Sequence, residues 1–531
     1  MLLRLTSAVN HAFDPVRELS PNYVQGAIVL LATLLSTWGL WRLWRFTIQP
    51  LFRPNEPLEL PYWVPYLNCL GHAGAFFEDC HQLMRRAVKQ LGTREPFALT
   101  LAGDRYYVVT SPADIRPFFA NINALSLDGF LNQVLIGFGC GEDRLHTLWQ
   151  RNQPGPINPK GKSLIHLTED LFKQHLLPGP TFDTLLSRYR GAIQELLSWS
   201  QLEATYSTMT GKETEAISLY DLCSDFLINA TQMTLFDPAL FAIDPEMTTE
   251  LRTFTDEFWQ LIYRSRFIDS TRVRRILAQY TKAFNAYLRL PPQARAREAW
   301  VIRTLIQTYT DLGIHEDDQA AMMVMIYWTG DANAYKAAFW VLAHILYDPT
   351  LRELIQEETA PAVGPNGKVD MGYLRQNCPR LSSIYHEVLR LTKRDAVLRR
   401  VVQDTELGGK QFRKGSFAII PSCQLHDSLE TYGHDSLLFN AERFLKRPEL
   451  TQDPAYFPYG GGVYYCPGRH FATLEIFAFV AVMLNRFDVH LAWPKQEFPR
   501  KDESVLTFGI SRPLPGDDLY VVLKKPEDAD A

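Results

Sequence analysis

Residues Phe457–Glu475 read FPYGGGVYYCPGRHFATLE, and this stretch decides the fold. Three consecutive glycines, Gly460–Gly462, open backbone shapes closed to other residues. Cys466 follows, then Pro467 and Gly468, and an apolar helical pattern begins at His470 or Phe471. A cysteine just before a helix start sits where backbone N–H groups and the helix dipole stabilise a thiolate, the form that acts as nucleophile or metal ligand. The other cysteines, at 69, 80, 140, 223, 378 and 423, form no CxxC pair, so neither a disulfide framework nor a cysteine-rich zinc site is indicated. A nucleophile wants a nearby base, and His470 is within sequence reach but poorly sited. An axial thiolate to haem iron asks only one cysteine of the chain and fits best.

Outward from this loop, the chain is ordinary globular material. Its 531 residues carry 54 Lys and Arg against 59 Asp and Glu, a net −5, with 46% hydrophobic and 21% charged residues. That composition excludes a mostly disordered chain, a collagen-like chain and a polytopic membrane protein. With no basic excess to neutralise phosphates, it also argues against nucleic-acid binding. One segment stands apart. No charge occurs between Glu18 and Arg42, and the core YVQGAIVLLATLLSTWGLW, Tyr23–Trp41, is long enough to span a bilayer core of ~30 Å. Trp38, Trp41 and Trp44 mark an interfacial belt at its end. A buried core helix would read similarly; a cleaved signal is disfavoured by the length and the lack of a small-residue cleavage site. Arg42, Arg45 and Arg53 after the segment, against Arg4 and Arg17 before it, put the bulk of the chain in the cytosol. The expected organisation is a luminal terminus over 1–22, an anchor over 23–44, a stiff hinge over 45–66 with Pro50, Pro54, Pro57, Pro61 and Pro65, and one body over 67–531.

The body reads as mostly α with small β-sheets. Phe97–Val109 predicts a hairpin about Gly103-Asp104, with further strands near Glu406–Phe412, Ser416–Ile420 and Leu519–Leu523. Helical spacing covers Thr168–His175, Ser218–Leu235, Thr248–Tyr263, Ile276–Leu288, Ala299–Leu312, Asp317–Tyr347, Met371–Leu391 and Phe471–Arg486. Asp317–Tyr347 is apolar on every face and predicts one long helix through the domain centre. Its middle is TGDAN, Thr329–Asn333. Glycine and polar residues there are costly, so they mark either a ligand site or a kink with satisfied polar groups.

The cysteine segment resembles the haem-binding loop of the cytochrome P-450 family, Phe-x-x-Gly-x-Arg-x-Cys-x-Gly. Gly462, Cys466 and Gly468 fall on its glycine, cysteine and glycine; Tyr459 stands for Phe, and Tyr464 for the Arg that pairs with a haem propionate. Glu387-Val388-Leu389-Arg390 resembles the family's Glu-x-x-Arg, and Asn440-Ala441-Glu442-Arg443-Phe444 its Pro-Glu-Arg-Phe, with Ala441 for Pro. The resemblance implies a buried Glu387–Arg390–Arg443 network that fixes the cysteine loop. TGDAN stands where the family has Ala/Gly-Gly-x-Asp/Glu-Thr, so Gly330 falls on the glycine, Ala332 on the acid and Asn333 on the threonine. The order of all four motifs matches, and the anchor and proline hinge resemble those of microsomal members. A cytochrome P-450 fold behind one transmembrane helix, haem b with Cys466 as its iron ligand, and the endoplasmic reticulum membrane follow as implications.

Family members deliver protons to the reaction centre through that acid and threonine. Here Asp331 is displaced by one residue, about 100° around the helix, and asparagine cannot relay a proton as a hydroxyl does. The pattern is similar to the branch holding sterol 7-hydroxylases and prostacyclin synthase, and Cys-Pro-Gly-Arg-His-Phe-Ala to filamentous-fungal members of secondary metabolism. Two functions remain open: a monooxygenase fed by NADPH through a reductase, and an isomerase or dehydratase acting on a peroxide or other activated substrate without one. For the propionates, Arg399 or Arg400 aligns with a family arginine, the register ambiguous by one. His426 is a second candidate, and the helix LIHLTEDLFKQHL offers His166 and Lys173. Lys410, Arg413, Lys414, Lys446, Arg447 and Arg469 are expected on the thiolate face, either docking an acidic reductase or simply solvated. By family analogy the substrate pocket draws on the region before Thr168, Thr248–Tyr263 and Phe508–Leu514. There Phe254, Phe258, Trp259 and Phe508 suit an apolar ligand or the core.

Overall fold

The computed structural model describes residues 21–62, 71–206, 215–263, 269–364, 367–503 and 509–524. The terminus expected to be luminal, as far as residue 20, Pro65 and Cys69, Phe508 and the polar tail from residue 525 lie outside the described residues.

Eleven strands form among the described residues, the longer ones rich in β-branched and aromatic residues. They are β1 Leu58–Glu59, β2 Phe97–Leu101, β3 Asp104–Val108, β4 Leu125–Ser126, β5 Ile217–Ser218, β6 Ala396–Val401, β7 Thr405–Leu407, β8 Lys410–Phe412, β9 Phe417–Pro421, β10 Asp488–Leu491 and β11 Tyr520–Lys524. Six join in the order β1-β2-β3-β9-β6-β4, β10-β11-β5 make a second sheet, and β7-β8 a lone hairpin. The expected β2–β3 hairpin forms, with Phe97 opposite Val108 and its turn at Ala102 and Gly103, both at positive φ. Most of the other described elements are helices, and the largest apolar core draws on residues from Leu135 to Leu523.

Two expected helices are divided. Asp317–Tyr347 is two helices, Glu316–Asp331 and Ala334–Tyr347, parted at Asn333 with φ −130°. Glycine and asparagine are poor helix formers, and the Asn333 side chain is committed to another segment, described below. Met371–Leu391 divides at Cys378, because Pro379 pushes the residue before it out of the helical region.

The amino-terminal segment is helical over Pro21–Leu43. It continues through a π turn, Trp44–Ile48, and a short helix, Gln49–Phe52. The hinge is therefore helical as far as Phe52, not extended from residue 45; Pro50 lies in a first turn, where no N–H is needed. Gln25–Phe52 is long and apolar enough to cross a membrane, with mean hydropathy 1.4 and none of its apolar window buried. The helix that follows Cys466 is comparably apolar but mostly buried, as a core helix is. Arg42 donates to the Tyr62 carbonyl at 2.7 Å, and Arg45 pairs with the buried Glu59 of β1 at 2.7 Å. Thr100 of β2 donates to the same carboxylate at 2.6 Å, so the base of this apolar helix is fastened to the sheet.

Candidate active site

Cys466 ends a loop packed tightly on the helix Pro112–Ala120. Gly462 has φ +63°, and a Cβ there would come 2.6 Å from the Phe119 carbonyl oxygen; one on Gly461 would come 2.7 Å from the Phe119 ring. Only glycine permits this approach. The Cys466 N–H donates to the Tyr459 carbonyl at 3.0 Å, and the helix Arg469–Arg486 begins three residues later. Burial pushes the Cys466 thiol up, while the backbone N–H groups of Gly468 and Arg469 and the Arg469 guanidinium pull it down. Cys140, Cys378 and Cys423 are pushed up by burial to about 12. The loop is also held from outside, where Lys173 donates to the Val463 carbonyl at 2.9 Å.

Beneath the loop lies the charged network. Arg390 donates to both Glu387 oxygens at 2.8 Å, and Arg443 Nε reaches the same carboxylate at 3.1 Å. Glu387 and Arg390 are fully buried. The remaining guanidinium hydrogens go to carbonyls and to one further carboxylate: Arg390 to the His426 and Ser436 carbonyls at 2.7 and 2.6 Å, Arg443 to the Tyr432 carbonyl at 2.7 Å and to Asp435 at 3.0 Å. Such saturation is what a buried ion cluster requires. Three side chains join it to the cysteine segment. The Tyr385 hydroxyl meets the Tyr459 hydroxyl, His386 meets the Tyr456 hydroxyl at 2.8 Å, and His426 Nε2 accepts the Phe457 N–H at 3.3 Å. Tyr459, in place of the family's Phe, thus gains a polar tie that sequence reasoning missed.

His426 was expected among the propionate cations and is placed otherwise. It is fully buried, its Nδ1 faces the Arg390 carbonyl at 3.2 Å, and its Nε2 is taken by Phe457. Burial first, then Lys393, Arg390 and Arg394, hold its pKa well below the ordinary value, so it is neutral. Arg399 and Arg400 alternate across β6. Arg399 is 6% exposed and lies over the Tyr464 ring at 4.7 Å, whereas Arg400 lies over Phe417 at 4.3 Å on the other side. Arg399 donates to the Leu398 carbonyl at 2.7 Å and has no carboxylate partner among the described residues; burial pushes it down to about 10. His166 is turned to Ser163 and Trp149.

The central helix presents two faces at its break. A Cβ on Gly330 would meet Leu235 at 3.4 Å, and the buried Asp331 carboxyl accepts from Gln232 Nε2. Gly330 and Asp331 therefore face the helix Leu219–Leu235. Burial, with the nearby Glu475 adding, raises the Asp331 pKa well above the carboxylate range. Asn333 Oδ1 accepts the Ile510 N–H at 2.8 Å. Thr329, one turn earlier and near the end of the helix Glu316–Asp331, is exposed between the buried Trp328 and Asp331, a signal that its place in TGDAN already carried. Phe254 and Phe258 are buried against Phe138, and Phe258 against Trp328 as well.

Among the expected docking cations, Lys410 donates to the Pro54 carbonyl at 3.0 Å and Arg413 pairs with Glu56 at 3.5 Å. Both are on the hinge side, not with Arg469, whose guanidinium donates to the Cys466 carbonyl at 3.0 Å. Lys446 and Arg447 pair with Glu442 and Glu449 at 3.4 and 3.3 Å.

These residues suit a haem. A buried guanidinium without a carboxylate calls for an anion, as a propionate is, and the glycine cradle brings backbone N–H groups toward one half-buried cysteine. A sequence model described as Cytochrome P-450 matches residues 200–516. The chain is similar to cytochrome P-450 monooxygenase nodJ of Hypoxylon pulicicidum, 30% identical over 533 residues and covering 95% of each chain. It is 27% identical over 476 residues to cytochrome P-450 monooxygenase poxD of Penicillium oxalicum, covering 85% of this chain and 90% of that one. It is 25% identical over 499 residues to human 7-alpha-hydroxycholest-4-en-3-one 12-alpha-hydroxylase, covering 87% and 93%.

Proposed function

The chain belongs to the cytochrome P-450 family and is a monooxygenase of it, and from that premise we propose that it oxidises an apolar small molecule of fungal secondary metabolism at a haem b ligated by Cys466. The observation that carries this reading is the combination of a cysteine at a helix start with a buried Arg399 that has no carboxylate partner among the described residues. Haem, when bound, supplies oxygen activation. The chain supplies the rest: Cys466 the thiolate, Gly461 and Gly462 the close approach, Arg399 the charge for a propionate, and the Glu387 network the rigidity of the loop. Thr329 and Asn333 line the break, where a hydroxyl and an amide orient the reacting groups. The apolar helix Gln25–Phe52 anchors the protein in the endoplasmic reticulum membrane, with NADPH-cytochrome P-450 reductase as electron donor. Reconstitution with that reductase and NADPH under isotopically labelled dioxygen tests it: labelled product is expected, and product formed at full rate without reductase overturns it.

That second outcome belongs to a haem-thiolate isomerase or dehydratase. One observation favours it, namely that Ala332 stands at the acid position while the Asp331 carboxyl is turned into the core and accepts from Gln232.

A further inference from the structure

Lys336 stands in the helix Ala334–Tyr347, three residues past Asn333 and so ~4.5 Å further along the axis. It is 4% exposed, and lysine is rarely so buried without a partner. Its ammonium makes no hydrogen bond or ion pair among the described residues; its recorded neighbour is the Tyr335 ring, with the centroid 5.7 Å away. The carboxylate whose charge reaches it, Asp256, is taken by Arg512, which Asp502 also holds at 3.1 Å. The stretches outside description that follow Tyr263 and precede Gly509 read RSRFI and SVLTF, and neither contains an acid. Burial pushes the Lys336 pKa down.

The surroundings are polar in an otherwise apolar core. Tyr220 and Tyr335 lie 5.6 Å apart, ring to ring, and among the described residues their buried hydroxyls have no partner beyond each other. Asp256 is next to last in the helix Met247–Glu257, and Arg512 belongs to the carboxyl-terminal segment that Asn333 grips through Ile510. Lys336 thus stands between the two segments assigned to the substrate pocket, about one turn from the residue expected at the reaction centre. An ammonium in such a place is strongly destabilising unless a counter-ion and acceptors arrive.

We propose that Lys336 binds a carboxylate of the substrate, so that the substrate class is apolar carboxylic acids, with the Tyr220 and Tyr335 hydroxyls as further donors. One ammonium beside two neutral phenols balances a single negative charge, which suits a carboxylate rather than a doubly charged phosphate. The proposal rests on the haem-thiolate reading, and the two fail differently.

The test uses the full-length holoenzyme. Its reduced carbon monoxide difference band is recorded first; a missing thiolate band overturns the haem-thiolate reading and this proposal with it. A saturated fatty acid, a tricyclic resin acid and a steroid acid, each with its methyl ester, are then titrated by the haem spin-state shift. At least one acid is expected to bind tenfold or more tighter than its ester, a difference of about 1.4 kcal/mol, and Lys336→Met is expected to abolish that preference. A present band with no acid preference, or a preference that survives Lys336→Met, overturns the proposal alone. A ligand-free measurement stands beside it. Because Lys336→Met removes an uncompensated buried cation, its unfolding midpoint should rise by roughly 2–4 °C. An unchanged or lower midpoint would mean that Lys336 is satisfied within the fold, and would overturn the proposal as well.

Discussion

Asn333 Oδ1 accepts the backbone N–H of Ile510 at 2.8 Å, joining the break in the central helix to a segment 177 residues away. The approach depends on Gly509, at φ +132°, where a Cβ would collide with the Asn333 amide. Asn333→Thr shortens the side chain and leaves the Ile510 N–H, on a buried residue, without its acceptor, at a cost of about 1–3 kcal/mol. The expected outcome is a lower thermal midpoint together with a changed ratio of product formed to NADPH consumed. Indifference of both would mean that this contact neither holds the break nor borders the reaction centre.

The arginines of β6 separate by face. Arg399 lies over Tyr464 beside the cysteine loop and Arg400 over Phe417. Arg399→Met should therefore lower the haem-to-protein ratio of the purified protein severalfold, and Arg400→Met should leave it near wild type. A pyridine haemochrome assay against protein concentration decides; equal haem loss in both variants would put neither residue at a propionate.

Much of this was legible in the sequence. Alternation and turn glycines marked the β2–β3 hairpin, and spacing placed most of the long helices, because both signals are local. What failed was not local. The central helix is apolar on both sides of TGDAN, so hydropathy had no reason to end it; the break follows the Asn333–Ile510 bond. Arg399 and Arg400 are sequence neighbours, and only the pairing of β6 with β9, Arg399 opposite Ala418, tells their faces apart. His426 looked like a cation, but burial makes it neutral and both its nitrogens face backbone. Lys410 and Arg413 were expected on the thiolate face, yet Lys410 is held by the Pro54 carbonyl and Glu95, and the half-exposed Arg413 by Asp404 and Glu56.

Glu387 carries two guanidiniums and also accepts the Asn440 N–H at 3.1 Å. Glu387→Gln removes the charge that both arginines need while leaving them buried, and should cost about 3–5 kcal/mol. Asp435 pairs with Arg443 at 3.0 Å but is 44% exposed, so Asp435→Asn should cost under about 1 kcal/mol. Urea unfolding of both variants makes the comparison. Comparable losses would place the weight of the network at its surface end.

Glu475 gives a pH test with a definite sign. It lies in the helix behind Cys466, is 1% exposed, and accepts from Thr231 at 2.8 Å. Burial pushes it up to about 8 from an ordinary 4.5, outweighing the Thr231 hydrogen bond. Between those values the folded chain holds a proton that the unfolded chain has released. Its contribution to stability is therefore complete below about 4.5, falls as pH rises through the window, and is gone above about 8, with a slope of at most ~1.4 kcal/mol per pH unit. Glu475→Gln keeps an acceptor for Thr231 and cannot ionise. The variant's unfolding free energy should lose this descending slope relative to wild type when both are followed by denaturant titration from pH 5 to pH 8. Parallel curves for the two proteins would show Glu475 ionised within the core, and its position beside Asp331 would then have to be held by a cation.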